Sequence, residues 1–208
     1  MNNKTNGLIG ITAVVVGVST IIIMAGLRTD GYNHFHKAVS ELGSTDAENK
    51  WIFNILGFII PGILIAIFSF NLMKEFRSYS IKSYPFYLLI LSGLFLTLAG
   101  LSPANMENKK SISTIIHSVG AVGGAVFWLL CALTLWWQLK KNNIWKNTAI
   151  STFLIPFIMI VAMSFVSENT PGISQRIIFI ALYLFILILA GKQLLIANKK
   201  PQKIEKWN

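Results

Sequence analysis

Two of the chain's three histidines, His34 and His36, lie in one polar stretch, GYNHFHKAVSELGSTDAENKWIFN (residues 31–54), beside Lys37, Ser40 and Glu41. Imidazole next to a carboxylate can ligate a metal, activate water or hold a polar headgroup. The spacing limits which. On a helix, residues two apart point about 200° apart, so His34 and His36 could not share an ion there. In an extended segment they would point the same way. An H-x-H pair also lacks the local third ligand that zinc motifs supply. Asp46 and Glu48 have a structural reading instead, because Thr45-Asp46-Ala47-Glu48 is a capping box that starts a helix. His34, His36, Ser40 and Glu41 remain without a complete local explanation.

The remaining candidates lie far along the chain. His117 follows Ile115-Ile116 and precedes SVGAVGGAVFW. An ionisable group beside a long apolar run tends to face the protein interior or a wet cavity. Gly120 and Gly124 form a G-x-x-x-G pattern on the same helical face as His117 and invite a close helix neighbour. Glu168 and Arg176 flank the Pro171-Gly172 turn, and Arg176 could meet a phosphate. The sequence names no cofactor. As metal ligands His34, His36 and His117 are weak candidates.

The elements that must position these residues are membrane helices. The chain of 208 residues is 54% hydrophobic and 12% charged, against about 25% charged for a soluble domain. Six apolar segments, residues 7–27, 46–73, 84–101, 115–139, 148–166 and 177–197, each come close to the roughly 20 residues that cross a bilayer. Their apolar runs are continuous and do not alternate, which excludes strands. The expectation is an all-α, polytopic, six-helix transmembrane bundle forming one domain over residues 1–208. The first segment is too long for a signal peptide and AGLRTD lacks a small-residue cleavage site, so it reads as an uncleaved helix.

The net charge of +10 is not a nucleic-acid signal, because it falls mainly on one set of connections. With the N-terminus inside, the inner segments hold twelve Lys/Arg and two acids, and the outer segments six of each. The positive-inside rule then gives an N-in, C-in topology in the cytoplasmic membrane. All three histidines fall on the outer side.

In the long outer connection, Asp30-Gly31 marks a turn. Asn33 can cap a short surface helix that runs to Leu42, with Phe35, Val39 and Leu42 on one stripe and Gly43 in the left-handed position past its end. The second span then begins near Asp46. Pro61 interrupts it and removes a helical hydrogen bond.

HKAVSELGSTDAENKWIFNILGFIIPG resembles the signature after the first span in bacterial membrane proteins of the domain of unknown function 998 family. GLSPANMENKKSISTIIHSVGAVGG is similar to a second signature, in which a Gly-x-x-Pro-like element precedes a His that opens the fourth span. Here these residues are Gly100, Pro103 and His117, and Ser102 replaces the phenylalanine usual before the proline. The resemblance spans about residues 7–197. It implies a compact multi-helix membrane protein, gives weight to Ser40, Glu41, Leu42, Gly43 and Asn54, and carries no established activity.

Four functions fit these residues. The first is an outer-face polar site, formed by His34 or His36, Ser40, Glu41 and His117 with Glu168 and Arg176 nearby, that binds a lipid headgroup, a metal or a small amphiphile. The second is a metal-assisted membrane lipid hydrolase, the third a small transporter, and the fourth a structural subunit. Membrane lipids are the expected partners, with homo- or hetero-oligomers through membrane helices, and nucleic acid is not expected. Glu41 and His117 are expected to lie close together.

Overall fold

The computed structural model describes residues 2–167 and 169–198. Among these residues, six helices are long and apolar enough to cross a membrane. They are α1 (Asn3–Gly26), α2 (Lys50–Tyr79), α3 (Tyr84–Leu101), α4 (Ile112–Leu139), α5 (Lys146–Met163) and α6 (Pro171–Asn198). Each packs on its neighbours in sequence, and α6 returns to α1, so the bundle is a closed ring. Trp128, Phe68, Phe185, Leu135 and Leu189 are fully buried in its core. Val15, Ile22, Val122, Ile150 and Ile180 are more than half exposed. Helices apolar on both their inner and outer faces belong in lipid.

Helix α1 begins earlier than its apolar run, at Asn3, because the Asn2 side chain caps the Thr5 N–H at 2.8 Å. Helix α2 begins later than expected. Its first helical residue is Lys50, and no capping box forms at Thr45 and Glu48. The Thr45 N–H instead donates to the Ala104 carbonyl at 2.9 Å, and the Lys50 ammonium donates to the Thr45 carbonyl at 2.8 Å. These bonds hold Thr45 in a turn.

Within α2, residues Asn54–Ile59 form a π-helix. Pro61 accounts for its position. The proline has no N–H for the Gly57 carbonyl and its ring crowds that oxygen. One wider turn relieves the clash, and the Ile60 N–H reaches back to the Ile55 carbonyl. Such insertions recur at functional sites, and this one turns Asn54 and Phe58 into the bundle, both buried.

The helix expected from Asn33 to Leu42 is not continuous. The Asn33 side chain accepts from the Phe35 and His36 N–H groups, Ala38 is extended, and a 3-10 turn follows over Val39–Gly43. An α-helix would need the Ala38 N–H to meet the His34 carbonyl. The Glu41 carboxylate takes that N–H at 2.7 Å, and Arg176 takes the carbonyl at 2.8 Å. Gly43 does not adopt a left-handed conformation; Gly31 does, with φ of 71°.

Candidate functional site

The connections α1–α2, α3–α4 and α5–α6 meet at one end of the ring, here the loop end; the other is the lysine end. His117 stands in the first turns of α4 at the loop end and is 6% exposed. Its Nδ1 lies 2.9 Å from the Ala99 carbonyl and 3.2 Å from that of Ser102. Ala99 is in the last turn of α3 and Ser102 caps it, where carbonyls lose their helical partners. The residue four beyond Ala99 is Pro103, which has no N–H to offer. The His117 ring therefore supplies the missing donor. This gives physical content to the spacing of Gly100, Pro103 and His117. Because carbonyls only accept, Nδ1 carries the proton, and Nε2 makes no hydrogen bond among the described residues.

The 3-10 turn closes the loop end. The Ser40 N–H donates to Gln175 Oε1 at 3.0 Å, and Gln175 Nε2 returns a bond to the Ser40 hydroxyl at 3.2 Å. Glu41 points elsewhere. Besides accepting from Ala38, it lies 3.4 Å from the Lys37 ammonium. Leu42 is buried. Asn54 donates to the Gly43 carbonyl at 2.7 Å. A Cβ on Gly43 would lie 2.6 Å from Asn54 Oδ1 and 2.7 Å from the Phe53 ring, so glycine is needed there for close approach.

Arg176 fastens the rest of the loop to α6. Its guanidinium donates to the carbonyls of His34 (2.8 Å) and Lys37 (3.2 Å), to the Tyr32 hydroxyl (2.9 Å) and to His34 Nδ1 (2.9 Å). It also donates to Gly172 in its own helix. His36 is exposed, and its Nδ1 lies 3.0 Å from the Asn169 carbonyl. Burial pushes the Tyr32 phenol above its usual pKa, while the bond from Arg176 works against that rise. At the loop's start, the hydrogen bond from Arg28 holds the Asp30 carboxyl below the usual carboxylate range.

Beneath the turn lies a cavity of about 300 Å³, at the lower end of ligand-pocket volumes. Its walls are apolar and come from α2, α3, α4 and α6, with Phe58, Leu96, Ala125, Trp128 and Phe179 among them. Ser40, Gln175 and His117 line it at the loop end. Ala121, Val122 and Val126 of α4 line it and are also exposed on the bundle's flank, so it reaches the lipid-facing surface. Phe58 sits 5.9 Å from the His117 ring and stacks on Phe179 at 5.9 Å. The Trp128 indole N–H has no partner among the described residues.

The family model described as "Protein of unknown function (DUF998)" matches residues 11–192. The chain belongs to this family. No curated protein and no solved structure matches it. This DUF998 member is a multi-pass membrane protein, and the family description assigns no activity.

In this DUF998 chain, Ser40 and His117 line one cavity. His34 and Arg176 form a second group with Tyr32, and His36 docks separately on Asn169. Glu168 lies outside the described residues. No three His, Cys, Asp or Glu side chains gather into a metal-holding group among the described residues. Ser40 bonds Gln175 rather than His117, so no nucleophile–base hydrogen bond is formed there. The Arg176 Nη1 and Nη2 donors are held by the loop and by Gly172. Gly120 faces α3, where a Cβ would lie 2.6 Å from the Ala99 nitrogen; at Gly124 the nearest atom would be the Ser92 carbonyl oxygen at 3.3 Å.

Sequence reasoning missed Gln175, whose place beside Arg176 at the start of α6 was the available signal. It also missed the cavity's dependence on Phe58, which follows from the π-helix. Glu75 reads in the sequence as an acid of an inner connection, whereas the structure places it in the last turns of α2, bonded to Asn3 and Gln193.

Proposed function

We propose that this protein binds a single-chain amphiphile, with its hydrocarbon in the cavity between α3, α4 and α6 and its polar end beside Ser40, Gln175 and His117. The observation that carries this reading is the cavity itself, which is apolar along its walls, polar at the loop end and open along the α4 flank. A ligand could enter from the lipid without crossing water. The Ser40 hydroxyl can donate and His117 Nε2 can accept, which suits an uncharged hydroxyl or amide head better than a phosphate. The whole chain works as one integral membrane domain. Its loop end faces outward and both termini face the cytoplasm of a bacterial cell, as the lysine asymmetry supports. The turn Val39–Gly43 is then the outer surface element.

Energy transfer from Trp128 to a dansylated single-chain amphiphile tests the binding. Purified protein in nanodiscs should give saturable transfer that Ala125→Phe abolishes by filling the cavity. Trp128→Phe should weaken the saturable transfer, because Trp128 lines the cavity, while the other five tryptophans keep a residual donor signal. Transfer that rises without saturation, equally in wild type and Ala125→Phe, would mean simple partition into lipid and defeat the proposal. The orientation is tested by single cysteines at Lys109 and Lys141: a membrane-impermeant maleimide should label the first in intact cells and spare the second.

A further inference from the structure

A second polar group lies at the opposite, lysine end of the ring, unconnected with the amphiphile cavity. Asn6 of α1 is 2% exposed. Its Nδ2 donates to the Phe68 carbonyl at 3.3 Å and to Gln193 Oε1 at 2.8 Å. Gln193 Nε2 passes the next bond to Glu75 Oε2, and Asn3 Nδ2 donates to Glu75 Oε1 at 3.0 Å. Asn71 Nδ2 is tied to the Ile67 carbonyl at 2.8 Å.

These bonds fix the amide orientations. Nδ2 of Asn6 and of Asn71 faces a backbone carbonyl, and Nδ2 of Asn3 faces a carboxylate, none of which can donate. All three asparagines therefore present their oxygens elsewhere. The Asn6 Oδ1 is buried and has no partner among the described residues. Asn3, Asn6, Asn71 and Glu75 all line one cavity of about 250 Å³, together with Lys74. The Lys74 ammonium does not pair with Glu75; it lies 4.2 Å from the centre of the Phe70 ring. Glu75 thus has amide donors but no cation at salt-bridge distance among the described residues.

A carboxyl withdrawn from water takes either a proton or a countercharge, and a cation bound here would keep Glu75 ionised. Hard oxygens set around one negative charge match the chemistry of alkali cations, which amide and carbonyl dipoles coordinate in membrane proteins. A divalent ion suits the place less well. Calcium sites gather six to eight oxygens and often several carboxylates, whereas this cavity has one carboxylate and a lysine on its wall. We propose that Glu75, with the amide oxygens of Asn3, Asn6 and Asn71, binds a monovalent alkali cation that ties the lysine ends of α1 and α2 together.

The test is thermal unfolding of the full-length protein in detergent, at fixed pH and ionic strength. Lithium, sodium or potassium chloride is exchanged for choline chloride. At a hundredfold over its dissociation constant, the preferred cation should raise the midpoint by about 5–10 °C, saturably. Glu75→Gln should abolish the rise and Asn71→Ala should shrink it. Asn71 is only half-buried and bonds within its own helix, so its variant decides the matter if Glu75→Gln does not fold. Equal midpoints in choline and every alkali salt would overturn the proposal. So would a cation effect that Asn71→Ala leaves unchanged, or one that persists in Glu75→Gln.

Discussion

Replacing Arg176 with alanine should release the loop end while leaving the bundle folded. Four of its contacts hold residues 32–37: the carbonyls of His34 and Lys37, the Tyr32 hydroxyl and His34 Nδ1. A hydrogen bond from a charged donor contributes about 1.5–3 kcal/mol when well buried. This side chain is partly exposed, so about 0.5–1 kcal/mol each is the appropriate scale. The four together give about 2–4 kcal/mol, and at 1.4 kcal/mol per factor of ten the loop's opening equilibrium should rise about 30–1,000-fold. Hydrogen exchange reads this directly. The N–H groups of Lys37, Ala38, Ser40 and Glu41 are all bonded in the closed loop and should exchange faster by that factor. Amides in the middle of α2 and α4 should keep their protection. Arg176→Lys should fall in between, since one ammonium cannot span four acceptors. Exchange of residues 33–43 within threefold of wild type in Arg176→Ala would refute the reasoning.

Asn54→Ala leaves the buried Gly43 carbonyl without a donor and should destabilise the protein by about 1–3 kcal/mol in thermal or denaturant unfolding. Gly43→Ala should cost about 1–3 kcal/mol by overpacking against Asn54 and Phe53. His117→Phe should cost about 1–3 kcal/mol by leaving the Ala99 carbonyl bare. Pro103→Ala restores a backbone N–H near that carbonyl, so a double-mutant cycle should show the His117→Phe cost falling by about 1 kcal/mol in its background. Asp30 has a folded pKa depressed by Arg28. Its contribution is present above the unfolded value of about 3.9 and is lost as pH falls through the folded one. The protection factors of the loop amides, with the intrinsic pH dependence of exchange divided out, should therefore fall on acidification more steeply in wild type than in Asp30→Asn.

The spans were legible because a bilayer imposes a length and a polarity that composition reports directly. The ends of the helices were less so. Thr45 and Glu48 have the right types for a capping box, yet the Thr45 amide is claimed by Ala104, 59 positions away in sequence. The surface helix failed similarly. Asn33 to Leu42 has helical spacing, but Arg176 and Glu41 take the carbonyl and N–H that would have continued it. His117 pointed to the bundle interior from its neighbours alone. What it does there depends on the end of α3, and Pro103 was the visible clue. The cavity was not legible, because its lining comes together from four separate helices, with Phe58 set by a π-helix that the sequence does not announce. Ser40 lines the cavity with His117 while the adjacent Glu41 bonds Ala38, since in a 3-10 turn successive side chains point about 120° apart.

The contact between Asn6 and Gln193 joins positions 187 residues apart. Helix α1 therefore waits for α6 before its buried amide finds this partner. At about 5–20 residues per second of synthesis, that interval is about 10–40 s. Until then the partner α1 can find for this amide is the Phe68 carbonyl of α2. The ring is complete only when α6 packs on α1, so assembly of this membrane protein must keep α1 from wrong pairings while the helices between them are made.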